Sequence, residues 1–297
     1  MTGIDFDFER YVARRKGAVH QRARDGSAYS YSGDRKLRRT LGTVRPVVMA
    51  IDAVSAKWRG SAKEELLAGS TRATDQQYEN VAVAAKTAAD RLGLKLPPVY
   101  VAPAESAIRA HALGTNDEPC VLLNADLVER LSQEELVAVL GNELGHVQNN
   151  HVIYSTALYY LNHSAMFFVR WAVKPATMTL QAWARRAEIT CDRASLICTR
   201  DFDVTVSALV KLAMGPDVAD NIDVREYLSQ LPESRKGLGK YAELFHSNPY
   251  LPKRVQALEL FAESTFYRRA TSADETVDGG LSADDVDAQV AEILKVF

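Results

Sequence analysis

Apolar residues recur at helical spacing along most of this chain, and two short stretches break the rhythm. Leu136, Val139, Leu140, Leu144 and Val147 follow each other three or four positions apart. Ser132 stands ahead of them as an N-cap, with Glu135 three residues on, which is a capping box opening an amphipathic helix. Thr74 to Leu92 reads as a second helix, stopped by Gly93 and then Pro97-Pro98. Phe8 to Ala23 and Lys36 to Lys57 are further helices, separated by a Ser- and Tyr-rich turn region from Gly26 to Gly33. The exceptions are Val99-Tyr100-Val101 and Cys120-Val121-Leu122-Leu123, β-rich runs bounded by Pro, Asn and Gly, which predict strands. The intervening Ala102–Glu118 stretch then supplies the edge of a small sheet. Such an edge can align an extended peptide by strand addition. From Ala125 onward the pattern is helical, with a polar linker from Thr271 to Gly280 and a short acidic amphipathic helix from Leu281 to Phe297.

Val152 to Val173 is apolar enough to need a membrane test. A spanning helix takes roughly 20 predominantly apolar residues, and this run is interrupted by Ser155, Asn162, His163, Ser164 and Arg170. Those are costly at mid-bilayer. A buried or lid-forming helix is expected rather than a transmembrane span, with peripheral membrane contact as the lesser reading.

Composition changes the picture little. With 297 residues, 47% hydrophobic and 25% charged, the chain can bury an ordinary globular core. A net charge of −2 gives no bulk pull toward nucleic acid. The charge is unevenly spread, basic between Arg10 and Arg39 and acidic between Asp274 and Glu292. Solvated helix faces explain this, and the two ends could also pair with each other or with a second copy. Cys120, Cys191 and Cys198 are odd in number and lack C-x-x-C spacing, so no disulfide framework is expected. The opening residues have no charged and apolar signal pattern, and a reducing cytoplasm is the expected compartment.

The chemistry concentrates at Asn142-Glu143-Leu144-Gly145-His146. The run reads as the zinc-protease helix H-E-x-x-H with its first histidine replaced. In the intact motif the two histidines share one face and hold zinc, and the glutamate is the general base. Downstream, Glu188 and Asp192 form an i, i+4 pair on another expected helix. In a gluzincin the glutamate is the third ligand, and the aspartate one turn on hydrogen-bonds a ligand side chain. Asp192 could thus accept from the Asn142 amide and turn its oxygen to a metal. Cys191 is a buried structural thiol by default, though its place after Glu188 could bring it near the metal. His151, five residues past His146, is about 140° round an α-helix and should face elsewhere, as a surface or interhelical residue.

These segments together make the chain recognisable. Pro97–Val101, Arg109–Gly114, Leu131–His151, Ala182–Leu196 and His246-Ser247-Asn248-Pro249 followed by Lys253-Arg254 resemble, in order, the HtpX-like and CAAX-prenyl-protease zinc metalloendopeptidases. The resemblance implies an α+β, mainly helical zincin-like domain with a small sheet at the cleft edge, over residues 71–268. A basic helical extension (1–70) precedes it and an acidic tail (269–297) follows. It also marks three departures. Asn142 replaces the first zinc histidine. Asn248 replaces a histidine thought to steady the transition state. Arg109-Ala110-His111 replaces the family's N-A-F on the substrate-side strand. His246, two residues before Asn248, is a candidate replacement for that donor.

The expected metal set is therefore Asn142, His146 and Glu188, with Asp192 behind it and Glu143 as base. An amide oxygen is a weaker, harder donor than imidazole, so zinc should be weakly held or absent, and another divalent metal becomes acceptable. The expected function is a metallopeptidase-like pseudoprotease that binds peptide or protein in its cleft. The alternative is an active endopeptidase working through a modified Asn/His/Glu site.

Overall fold

The computed structural model describes residues 27–106, 108–163, 167–215, 226, 251–272 and 279–295. Its elements are α1 (Ser32–Leu41), α2 (Arg45–Lys57), α3 (Lys63–Leu67), β1 (Thr71–Arg72), α4 (Glu79–Leu92), β2 (Val99–Ala102), β3 (Ala110–Gly114) and β4 (Pro119–Asn124). After the sheet come α5 (Ala125–Arg130), α6 (Gln133–Gln148), α7 (Val152–His163), α8 (Phe167–Thr199), α9 (Phe202–Met214), α10 (Leu251–Ala262), α11 (Thr265–Thr271) and α12 (Ala283–Ile293). The fold is α+β and mainly helical, as expected, with a four-stranded mixed sheet in the order β1-β2-β4-β3. Only β2 and β4 run parallel, and β3 forms one edge, Ala110 opposite Leu123 and Gly114 opposite Pro119.

The sheet is covered on both faces, which explains why β4 reads as a continuous apolar run. Val121 and Leu123 enter the main core with α4, α6 and α9. Cys120 and Leu122 point the other way, into a smaller cluster around Trp58 and Leu113. A third cluster joins Leu41, Val47 and Val54 to Leu158, Leu180 and Trp183.

Three features differ from the sequence expectation, two of them boundaries. The helix expected from Lys36 to Lys57 breaks between Leu41 and Arg45, because Pro46 has no N–H to continue a helix through it and is tolerated only in a first turn, so a new helix starts around it. The helix expected from Thr74 starts at Glu79 instead. Thr74 and Gln77 close a small bridge, and Tyr78 sits left-handed at φ 53°. The third concerns α6. Its capping box is present as expected, but the helix is not amphipathic: every residue from Glu135 to His146 is buried. Helices α4, α8 and α9 and the sheet edge surround it.

Candidate active site

The capping box fixes where α6 begins: Glu135 N–H donates to the Ser132 hydroxyl at 3.2 Å, and the Glu135 carboxylate accepts from Ser132 N–H at 2.8 Å. From that start the helical repeat puts Asn142 and His146 on the side facing α8. Gly141 and Gly145 let α8 come close. A Cβ at either glycine would lie 2.8 Å from a side-chain carbon of α8, Cys198 or Ala194. Across this contact the Asn142 amide donates from Nδ2 to Asp192 Oδ1 at 3.0 Å. His146 Nε2 stands 3.5 Å from Glu188 Oε1. The two i, i+4 pairs read from the sequence therefore meet face to face.

A residue given no role in the sequence reading completes the group. Arg254, on α10 and 3% exposed, donates to both Asp192 oxygens at 2.8 and 2.6 Å. It also lies 3.0 Å from Glu188 Oε2. Its only sequence trace was its place in the last matched segment.

The charges sort by neighbour. Burial would lift the Glu188 carboxyl, but Arg254 and then His146 outweigh it and hold its pKa at about 2. Burial would depress His146, yet the hydrogen bond and charge of Glu188 carry it above the ordinary imidazole value. Glu143 is pushed up to about 7 by burial, against the opposing pull of His146. Its Oε2 accepts the Ala112 N–H of β3 at 2.6 Å. A second β3 donor, Gly114 N–H, is taken by the Thr156 hydroxyl at 2.8 Å. The base candidate is thus moored to the edge strand of the sheet.

The remaining candidates fall elsewhere. Arg109, just before β3, spends its guanidinium on the Leu212 and Ala213 carbonyls near the end of α9, at 3.0 and 3.3 Å. Ala110 and His111 lie on β3, and the His111 ring is tilted against Tyr159 at 6.2 Å. His246 and Asn248 lie outside the described residues.

His151 needs a correction. It is fully buried and its ring sits edge-on to His146 at 5.3 Å. Rotation along a continuous helix misplaced it, because α6 ends at Gln148 and Asn150 turns left-handed at φ 57°. That turn folds His151 back under the motif, with its N–H donating to the His146 carbonyl at 2.9 Å. Cys191 is beside it, Sγ 3.8 Å from His151 Nδ1. Two metal-capable sets thus share His146. One is His146 and Glu188 with the Asn142 amide oxygen. The other is His146, His151 and Cys191, whose ligand atoms lie within 4.8 Å of one another.

Glu143, between Asn142 and His146 on one helix, thus packs directly against the helix of Glu188 and Asp192, beside a small sheet, and this order of elements matches one peptidase family. That family's profile, peptidase family M48, matches residues 75–262. The chain belongs to it. Among M48 relatives, the plastoglobule-localized metallopeptidase 48 of Arabidopsis thaliana is 32% identical over 61% of this chain and 56% of its own length. A protease HtpX homolog of Bacteroides fragilis is 26% identical over 57% of this chain and 64% of its own. The protease HtpX of Chromohalobacter salexigens is 39% identical over 26% of each chain. The match thus spans less than two thirds of the length of each of these three M48 relatives. No solved structure matches. Among the described residues, no helix is long and apolar enough to cross a membrane.

Proposed function

We propose that this M48 chain is a peptide- or protein-binding regulator whose hydrolytic centre is impaired, working in a reducing, cytoplasmic compartment. The observation that carries the reading is the Asn142 amide. Its NH2 is given to Asp192 at 3.0 Å, so only a neutral carbonyl oxygen is left for a cation. Imidazole would offer a nitrogen lone pair there. The donors at the family's metal position therefore do not make up its three-ligand set. The residues present would instead hold a ligand. An extended peptide laid along β3 meets the Ala112 N–H once Glu143 moves off it, and main-chain hydrogen bonds supply affinity without chemistry.

A second reading has one observation in its favour. Glu143, with its pKa near 7, is suited to take and return a proton at neutral pH. The deciding experiment incubates the purified chain with a peptide mixture and reads both retention and cleavage by mass spectrometry. Retention without cleavage is expected, and Asn142→His with Asn248→His should recover more hydrolysis than either change alone. Robust cleavage by the unaltered chain, abolished by Glu143→Gln, would refute the regulator and leave a modified endopeptidase.

A further inference from the structure

We propose that this chain holds a zinc(II) ion in the helix interface behind the family's metal position, on Cys191 Sγ and one ring nitrogen each of His146 and His151. Three observations converge on it. The three ligand atoms lie within 4.8 Å of one another and all three residues are buried. His146 Nε2 is turned to Glu188, and its other nitrogen, Nδ1, is buried with no hydrogen-bond partner. A buried ring nitrogen left unpaired is costly, and a cation would satisfy it. The Cys191 sulfur and His151 Nδ1 are 3.8 Å apart. A tetrahedral zinc ion, with bonds of about 2.3 Å to sulfur and about 2.0–2.1 Å to nitrogen, separates two such donors by roughly 3.6 Å. The whole cluster needs to contract by only about an ångström.

The surroundings fit the same ion. His151 Nε2 lies 3.0 Å from Asp34 Oδ2, at ion-pair distance but not along a hydrogen-bond direction. A small ring rotation would align it and leave Nδ1 free as the donor. A carboxylate behind a ligating imidazole is the usual support of a zinc histidine. Asp34 is itself fixed by Trp183 Nε1–H at 3.0 Å and by the Thr190 hydroxyl at 2.7 Å. One thiolate with two imidazoles suits a borderline-soft cation without geometric preference, and disfavours magnesium or calcium. On binding, the Cys191 S–H bond breaks, its proton leaves to solvent, and the sulfur lone pair forms the bond to the metal.

The site stands apart from the peptide-binding reading, since a metal held there leaves that reading intact and its absence does not touch it. The test is cobalt(II) added to the metal-stripped full-length protein. A thiolate-to-cobalt charge-transfer band should grow to one equivalent, survive Cys120→Ser, and vanish in Cys191→Ser. Asp34→Asn should keep the band but weaken affinity 10-fold or more. Cobalt bound without the band would put the metal on oxygen and nitrogen alone and overturn the proposal, as would no binding. Should Cys191→Ser fail to fold, zinc-edge absorption of the unaltered protein decides. One sulfur in the inner shell supports the site, and none refutes it.

Discussion

Two groups meet at His146, one reaching it through Glu188 and the other through His151 and Cys191. His146 Nε2 faces Glu188 and the Asn142 amide is held by Asp192, while His151 and Cys191 offer ligand atoms within 4.8 Å of a His146 ring nitrogen. Changing Asn142→His would restore a nitrogen donor already backed by Asp192, itself gripped by Arg254. The expected outcome is metal drawn outward: zinc affinity rises at least 10-fold by calorimetry, while the thiolate-to-cobalt band weakens. An unchanged band with unchanged affinity would contradict this. The facing pairs were legible because helical periodicity alone decides which side chains share a face. His151 and Arg254 were not. One depends on a single left-handed residue past a helix end, and the other reaches Asp192 from 62 positions away. No local pattern encodes either.

Helices α6 and α8 carry the site because they touch backbone to backbone, and two glycines permit this. Gly141→Ala would gain about 1 kcal/mol of helix propensity. Its new methyl would meet Cys198 Cβ at 2.8 Å and the Ser195 Cα at 3.1 Å. The latter is backbone that cannot step aside. Overpacking of this kind costs about 1–3 kcal/mol, so a net loss of up to about 2 kcal/mol is expected in urea unfolding. A gain would show that the helices are free to separate. The start of α6 makes a pH-dependent prediction. Burial would raise the Glu135 carboxyl, but Ser207, Ser132 and Lys211 hold it below its ordinary 4.5. A depressed acid contributes stability that is present above its unfolded value and lost as pH falls through the folded one. Glu135→Gln should therefore cost about 1–2 kcal/mol at pH 7 and progressively less below pH 4.5. A pH-independent difference between the two proteins would exclude this origin. The capping box, α4, β2 and β4 could all be read from the chain, because caps, glycine stops and β-rich runs are local. The burial of α6 on every side could not, since its apolar spacing is the same whether the polar face meets water or another helix. The two-residue β1 is too short to carry any pattern.

On the scale of the molecule, the segments outside the matched region 75–262 close over the back of the site. Ser32 N–H donates to Asp287 Oδ2 at 2.8 Å, joining the start of α1 to α12. Arg193 of α8 donates to the other Asp287 oxygen at 2.8 Å and to the Tyr29 carbonyl at 3.1 Å. Tyr31 N–H reaches the Thr190 hydroxyl at 3.1 Å, one residue before Cys191. The opposite charge of the two ends is not what joins them in these contacts: Asp287 meets a neutral backbone N–H of α1 and a buried arginine of α8, which no terminal charge pattern encodes. Arg193 is 4% exposed, so removing its carboxylate partner leaves a charge with little water to turn to. Asp287→Ala should cost on the order of 2–3 kcal/mol, somewhat below the 3–5 typical of fully enclosed pairs, because the pair is not wholly sealed. The distinctive expectation is spatial. Hydrogen exchange should quicken together in α1, α12 and the Thr190 turn of α8, while α4, which has none of these bonds, keeps its protection. If only α12 loosens, the two ends are independent attachments. If all three loosen and the cobalt band of Cys191 fades with them, the terminal segments help hold the interior metal cluster in place through Asp34 and Thr190.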